Sequence, residues 1–290
     1  MYRIKYIFVI FALILLVAGC SNNSEDVSVS ETLLSTIKLL PETRELGTDE
    51  EIKTCTILKD MLEKFNYNVE LQKIKYSLSE NGIAIESGKP FPTNLKKIKD
   101  GETHNIIARQ KQYDFSKKDI LIVAHYDTTS FPGVNDNASG VAVLVELAKK
   151  FDKTDKFSLI YVLFSGEENF LLGSEHFVNK LSEKEKNNIA AVINLDTLSG
   201  NSTPEISFAE QDYTPAYFLF EKTFEKYFSV NLNPPYSSGD EIPFNGAGIP
   251  SLSIGQEGEN LHTTEDTLDN LDVNDLVKVY IALSETLNSL

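Results

Sequence analysis

Three nearly unbroken apolar runs mark the middle of the chain, Asp119–Ala124, Phe157–Phe164 and Ile189–Leu195. A fourth, Ile249–Ile254, follows later. Runs of this length between polar turns read as strands buried on both faces. Between them the apolar spacing turns helical. Val141–Ala148 and Leu171–Leu181 predict helices, Pro215–Tyr227 an aromatic-rich one, and Asp272–Leu287 a helix with Leu276, Val279, Tyr280, Leu283 and Leu287 on one face. Upstream, Glu31–Leu40 has a helical pattern that stops at Pro41. Thr48-Asp49-Glu50-Glu51 reads as a capping box that opens a helix carrying Ile52, Cys55, Leu58, Met61, Leu62 and Phe65. Val69–Tyr76 and Asn105–Gln110 read as strands. Glu80–Asp100, rich in Gly, Pro, Asn and Lys, reads as a hairpin or surface loop. Strands alternating with helices predict an α/β three-layer sandwich. Its mixed sheet is parallel at the centre and flanked by helices, in one domain over residues 31–290.

Residues 1–20 are excluded from that domain. Arg3 and Lys5 precede the apolar run Ile7–Val17, which is shorter than the roughly 20 residues a spanning helix needs. Leu16-Val17-Ala18-Gly19-Cys20 resembles the bacterial lipoprotein signal, which predicts lipid on Cys20, a polar tether over 21–30 and a place on the outer face of the cell membrane. The alternative is an ordinary secretory signal or an N-terminal anchor. A lipidated Cys20 leaves Cys55 as a lone thiol with no internal disulfide; its place in a helical pattern suits a small buried residue. The formal charge of −16, or −18 once Arg3 and Lys5 are removed, argues against nucleic acid and against contact with anionic lipid except through Cys20.

Polar groups collect where the buried runs end: His125 and Asp127, Asp136 at the start of the next helix, Glu167 and Glu168, Asp196, and His262 in a later loop. In open α/β sheets the carboxyl ends of the strands are where ligands bind. Taken singly, Asp136 suits a helix cap, Asp196 a turn, and Glu167-Glu168 a solvated pair. Taken together, two imidazoles and several carboxylates without a thiolate suit zinc, and sometimes cobalt or manganese. The acids outnumber what one tetrahedral ion can use, which points to a two-metal arrangement for hydrolysis. His104 and His176 match no motif and read as surface or half-buried residues.

Five segments in order, Ala124-His125-Tyr126-Asp127, Gly133–Gly140, Phe164-Ser165-Gly166-Glu167-Glu168, Asn194-Leu195-Asp196 and His262–Thr267, give the chain its resemblance. It resembles the co-catalytic di-zinc aminopeptidases (the aminopeptidase S and aminopeptidase Y type), relatives of the glutaminyl cyclases. Arg44–Thr48 resembles the segment that opens that domain. The resemblance implies a zinc-exopeptidase fold of the phosphorylase/hydrolase-like type and two zinc ions bridged by Asp136. His125 and Asp196 complete one ion, and Glu168 and His262 the other. Asp127 orients His125 through its other ring N–H, and Asp136-Asn137 is expected to be cis. Glu167 is the general base for a metal-bridging water that hydrolyses the N-terminal bond of peptides with a free N-terminus.

Two positions depart from the family pattern. Gly239-Asp240-Glu241-Ile242-Pro243-Phe244 has Glu241 where a His is frequent, and Leu261 stands where a Tyr often precedes the last ligand. Two other functions compete. One is a single-zinc glutaminyl cyclase, disfavoured by the short Asn169–Ser174 segment and the absence of Trp. The other is a non-catalytic lipoprotein that captures metal or peptide, disfavoured because Glu167 and every ligand position are kept.

Overall fold

The computed structural model describes residues 22–151, 155–200, 205–207, 226–227, 229–230, 239–256 and 258–290. The apolar runs at 118–125, 157–164 and 189–195 form neighbouring parallel strands. They are β4 (Lys118–His125), β5 (Phe157–Phe164) and β6 (Ile189–Leu195). Alternate residues face opposite sides, as the two-residue period requires. Ile120, Ile122, Leu159, Tyr161, Ala191 and Ile193 enter one core, whereas Leu121, Val123, Ile160, Val162 and Val192 enter the other. Two cores on one sheet make the three-layer sandwich the sequence predicts.

The first core lies under α1 (Asn22–Leu39), α2 (Asp49–Lys64), α3 (Gly140–Lys150) and the last helix. Residues 140–148 of α3 are buried on every side, which explains a sequence apolar but for Glu146, whose carboxylate meets Lys149 at 3.1 Å. The second core is covered by α4 (Leu172–Lys180) and, beyond the short surface helix α5 (Glu183–Asn188), by α6 (Glu241–Gly246), with Phe164, Phe177 and Phe244 in edge-on and tilted contact. The chain closes with α7 (Val273–Ser289).

Among the described residues nine strands form the sheet, in the order β2-β1-β3-β5-β4-β6-β9-β7-β8. The remaining strands are β1 (Tyr67–Ser79), β2 (Ala84–Glu86), β3 (Lys97–Gln110), β7 (Glu205–Ser207), β8 (Ser229–Val230) and β9 (Ser251–Gly255). β5, β4, β6 and β9 are mutually parallel; β1–β3, β3–β5 and β7–β9 pair antiparallel.

Three local expectations change. Asn105–Gln110 is only the buried end of a 14-residue strand whose polar first half pairs along β1, with Lys73 and Glu102 ion-paired at 2.7 Å. Of Glu80–Asp100, expected as a hairpin or surface loop, residues 84–86 pair antiparallel with the end of β1, so the hairpin is present, and 97–100 begin β3. Helix α1 reaches back to Asn22 through the expected tether; no Gly or Pro interrupts it, and Ser30 and Thr32 return their hydroxyls to Val27 O and Val29 O. The capping box is half formed. Thr48 accepts the Glu51 amide at 3.3 Å, but the Glu51 side chain turns into the protein. The helix expected over Pro215–Tyr227 lies outside the described residues, its last two positions apart, as does the signal segment. Among the described residues no helix is long and apolar enough to cross a membrane.

Candidate metal centre

Every candidate residue sits at the carboxyl edge of the parallel strands. His125 is the last residue of β4, and Tyr126 and Asp127 follow it. Gly166, at φ +79°, turns the chain after β5 so that Glu167 and Glu168 face the same edge. Asp196 follows β6, Asp136 lies in the kinked turn Val134–Ser139 before α3, and His262 comes from the loop between β9 and α7 with φ +56°.

The structure brings the five expected ligands together around the two oxygens of Asp136. Oδ1 lies 3.1 Å from His125 Nε2, which is itself 3.5 Å from Asp196 Oδ1. Oδ2 lies 3.0 Å from His262 Nε2, which is 3.1 Å from Glu168 Oε2. The ligand atoms of His125, Asp136 and Asp196 all lie within 4.8 Å of one another, as do those of Asp136, Glu168 and His262. The peptide bond between Asp136 and Asn137 is cis. Glu168 Oε1 is buried with no hydrogen-bond partner, so the donor set has unused capacity for a cation.

The electrostatics fit the same reading. Burial alone would lower the His125 imidazole, but Asp196, Asp127 and Asp136 outweigh it and hold it well above the usual histidine range. Hydrogen bonds to Asp136 and Glu168 push His262 up to about 10. Burial would raise Asp136, yet the two imidazoles hold its carboxyl well below the usual range. Glu167 makes none of these ligand-type contacts. Burial drives it well above the carboxylate range, and Asp196, Asp240 and Glu168 add to the effect against the pull of His125.

Asp127, fully buried, has more to do than orient an imidazole. His125 Nδ1 is 3.2 Å from the Asp127 carbonyl oxygen and 3.7 Å from its carboxylate, so the carbonyl is the nearer acceptor. The carboxylate receives the amides of Glu167 at 3.2 Å and Glu168 at 3.4 Å. It therefore fixes the turn that carries the expected base.

Other residues acquire roles the sequence did not assign. Asp266 accepts the amides of Asn135 and Asp136. Asn137 Oδ1 accepts Gly140 N at 3.0 Å and Thr197 N at 3.3 Å, while its amide donates to Leu195 O, linking the Asp136 turn to the end of β6. Arg44, buried, donates to Tyr126 O and Gly133 O, both at 2.7 Å, and to the carbonyls of Pro41 and Glu42. The only hint of this in the sequence was the Arg44–Thr48 segment.

Glu241 is fully buried, receiving Asn194 Nδ2 at 2.9 Å and Gly239 N at 3.4 Å. Its exchange for the more frequent His thus acts inside the fold. Asp240 beside it is also buried, and burial, with Asp196 and Asp127, raises it to about 8 against the pull of His125. Leu261 instead lines a cleft with Asn135, Ser199, Gly258 and Asp266 beside the His262 loop. Of the remaining histidines, His104 is half-buried and His176 is buried against Glu86 at 2.9 Å.

Known proteins share parts of this sequence and its fold. Aminopeptidase YwaD of Bacillus subtilis is 34% identical over 210 residues, 66% of this chain and 46% of that protein. An aminopeptidase of Pseudomonas aeruginosa is 29% identical over 203 residues, 63% of this chain and 37% of that protein. The chain thus spans less than half of either relative. Among solved structures, the fold is that of BSAP, a zinc aminopeptidase from Bacillus subtilis, at a TM-score of 0.75 with 20% identity, covering 89% of this chain and 95% of that one. A Bacteroides thetaiotaomicron glutaminyl cyclase superposes at 0.69 with 20% identity, covering 91% and 98%. Residues 105–287, from the buried end of β3 into the last helix, match the model of peptidase family M28, and the chain belongs to that family.

Proposed function

We propose that the chain is a zinc-dependent aminopeptidase that removes residues from the free N-termini of peptides. The observation that carries this is the division of Asp136, with one oxygen facing His125 and the other facing His262. A carboxylate so placed is suited to bridging two cations, one held with His125 and Asp196, the other with Glu168 and His262. Imidazole and carboxylate donors without a thiolate suit zinc. When bound, the ions would offset the clustered negative charge and polarise a scissile carbonyl.

The chain's own residues supply the rest. Glu167 takes the proton of the attacking water and delivers it to the leaving amine. Asp127 holds Glu167 and Glu168 in place through their amides. The cleft along Leu261 and Asn135 adjoins two ligand-bearing loops and is placed to take the N-terminal side chain. The aminopeptidase names of the two sequence relatives support peptide hydrolysis over cyclisation. We further propose that residues 1–20 direct export and that lipid on Cys20 holds the enzyme at the outer face of the cell membrane.

The test is an assay of the purified chain against aminoacyl-p-nitroanilides and N-terminal glutaminyl peptides, repeated after chelation and after zinc is restored. Zinc-dependent release of N-terminal residues is expected. Glu167→Gln should lower kcat by about 10² to 10⁴, the span of general acid–base catalysis, while still binding zinc. Cyclisation of glutaminyl peptides without cleavage would replace this reading with the cyclase. Tight zinc binding with no turnover would leave the capture protein.

A further inference from the structure

Glu51 lies outside the residues matched to the family and is 1% exposed. Its Oε1 accepts three hydroxyls from three different segments: Thr103 in β3 at 2.5 Å, Ser165 beyond β5 at 2.9 Å, and Tyr126 beyond β4 at 3.0 Å. Its Oε2 accepts Gly47 N at 3.3 Å. Two of these partners belong to the site's own turns. Tyr126 stands between His125 and Asp127, and Ser165 leads through Gly166 into Glu167 and Glu168. The two turns also meet directly, Tyr126 N donating to Phe164 O at 2.9 Å.

The proton count explains why an acid occupies this position. Each hydroxyl has one hydrogen. Thr103 stands within reach of both Glu51 and Ser165, and Tyr126 of both Glu51 and the carbonyl of His104. A carboxylate oxygen can receive Ser165 and whichever of Thr103 and Tyr126 turns its proton toward it, and it leaves Ser165 a single direction in which to give its own. An amide of the same shape must turn its NH2 toward either the hydroxyls or Gly47 N–H, so one set of contacts is lost.

We infer that Glu51 is a positioning residue for the reaction, locking the Ser165–Glu168 turn against the His125–Asp127 turn so that base and ligands keep a common geometry. The inference rests on the assignment of Glu167 and the ligand set proposed above. A small misplacement of such groups costs up to about 100-fold in rate.

The experiment measures kcat, KM, zinc affinity and the melting temperature of the full chain as wild type, Glu51→Gln, Ser165→Ala and the double variant, with Tyr126→Phe in parallel. Glu51→Gln should lower kcat about 10- to 100-fold, with KM within about threefold, as for removal of partners that orient metal ligands. Ser165→Ala should reproduce part of that loss. The double variant should be no worse than Glu51→Gln, because the two groups act through one contact. Should Glu51→Gln fail to fold, the kcat losses of Ser165→Ala and Tyr126→Phe carry the same decision. A lower melting temperature with unchanged kcat per folded molecule, or additive losses in the double variant, overturns the inference. A wild-type chain that binds no zinc and hydrolyses nothing overturns the functional reading beneath it, which the variants alone cannot do.

Discussion

Asp266 grips the backbone of Asp136. Its carboxylate takes the amide of Asn135 at 2.7 Å and that of Asp136 at 3.0 Å, directly before the cis peptide, and it lies four residues beyond His262. One side chain thus couples the loop carrying Asp136 to the loop carrying His262. Asp266→Asn keeps the shape but sets an NH2 against one of two buried amides. Zinc affinity should fall about 10- to 100-fold, and stability by about 1–3 kcal/mol for the unsatisfied donor. Competition with a chelator of known affinity and urea denaturation measure the two effects, and unchanged values for both would refute the coupling.

Arg44 performs a similar function from the opposite side. Its guanidinium serves carbonyls of Pro41, Glu42, Tyr126 and Gly133, so it joins the N-terminal segment to both loops that flank the centre. Arg44→Met strands those acceptors. Since each buried unsatisfied group costs about 1–3 kcal/mol, the total loss should exceed about 3 kcal/mol. Arg44→Lys keeps the charge but not the planar fork and should fall between the two. Denaturation midpoints decide the order; a lysine variant equal to wild type would mean that charge, not the fork, is what the site uses.

The contrast between Arg44 or Glu51 and the strand runs shows what the sequence made legible. Phe157–Phe164 and Ile189–Leu195 were readable because a strand buried on both faces must be apolar throughout, and that requirement is local. The five proposed ligand positions stood out because each adjoins such a run or a quoted motif. The first half of β3 was not: Lys97–His104 is mostly polar and is a strand only because β1 pairs with it. Glu51 has cap spacing, and nothing near it announces hydroxyl partners 52, 75 and 114 residues away. The amide contacts of Asp127 and Asp266 likewise join turns distant in the chain.

Gly140 tests how closely the Asp136 turn is fitted to β6. Its backbone is ordinary helix, so space decides the matter. A Cβ there would stand 2.4 Å from Leu195 O and 2.5 Å from Asn137 Oδ1. Both neighbours adjoin proposed ligands, Asp196 and Asp136. Gly140→Ala should cost about 1–3 kcal/mol, as overpacking does, and should weaken zinc binding at the same time. A substitution on the exposed side of α2, such as Lys53→Ala, should change neither. Loss of stability with zinc affinity intact would separate the packing from the site.

Glu241 yields a pH dependence whose sign is opposite to that of an ion-paired acid. Burial, then the charge of Asp196, raises its carboxyl from 4.5 to about 7, against hydrogen bonds from Asn194 and Gly239. A folded pKa above the unfolded one means the group's contribution is complete below about pH 4.5 and is lost as pH rises through 7. At about 1.4 kcal/mol per unit, the loss between 4.5 and about 7 comes to about 3.5 kcal/mol. Glu241→Gln does not titrate and retains an acceptor for Asn194. In chelated protein the two chains should be similarly stable at pH 5, and the variant should be ahead at pH 8.5. Zinc beside Asp196 should narrow that gap, because a nearby cation favours the ionised carboxylate. Urea denaturation at both pH values, with chelator and with zinc, gives all four stabilities. Parallel pH slopes for wild type and variant would show that Glu241 is ionised throughout.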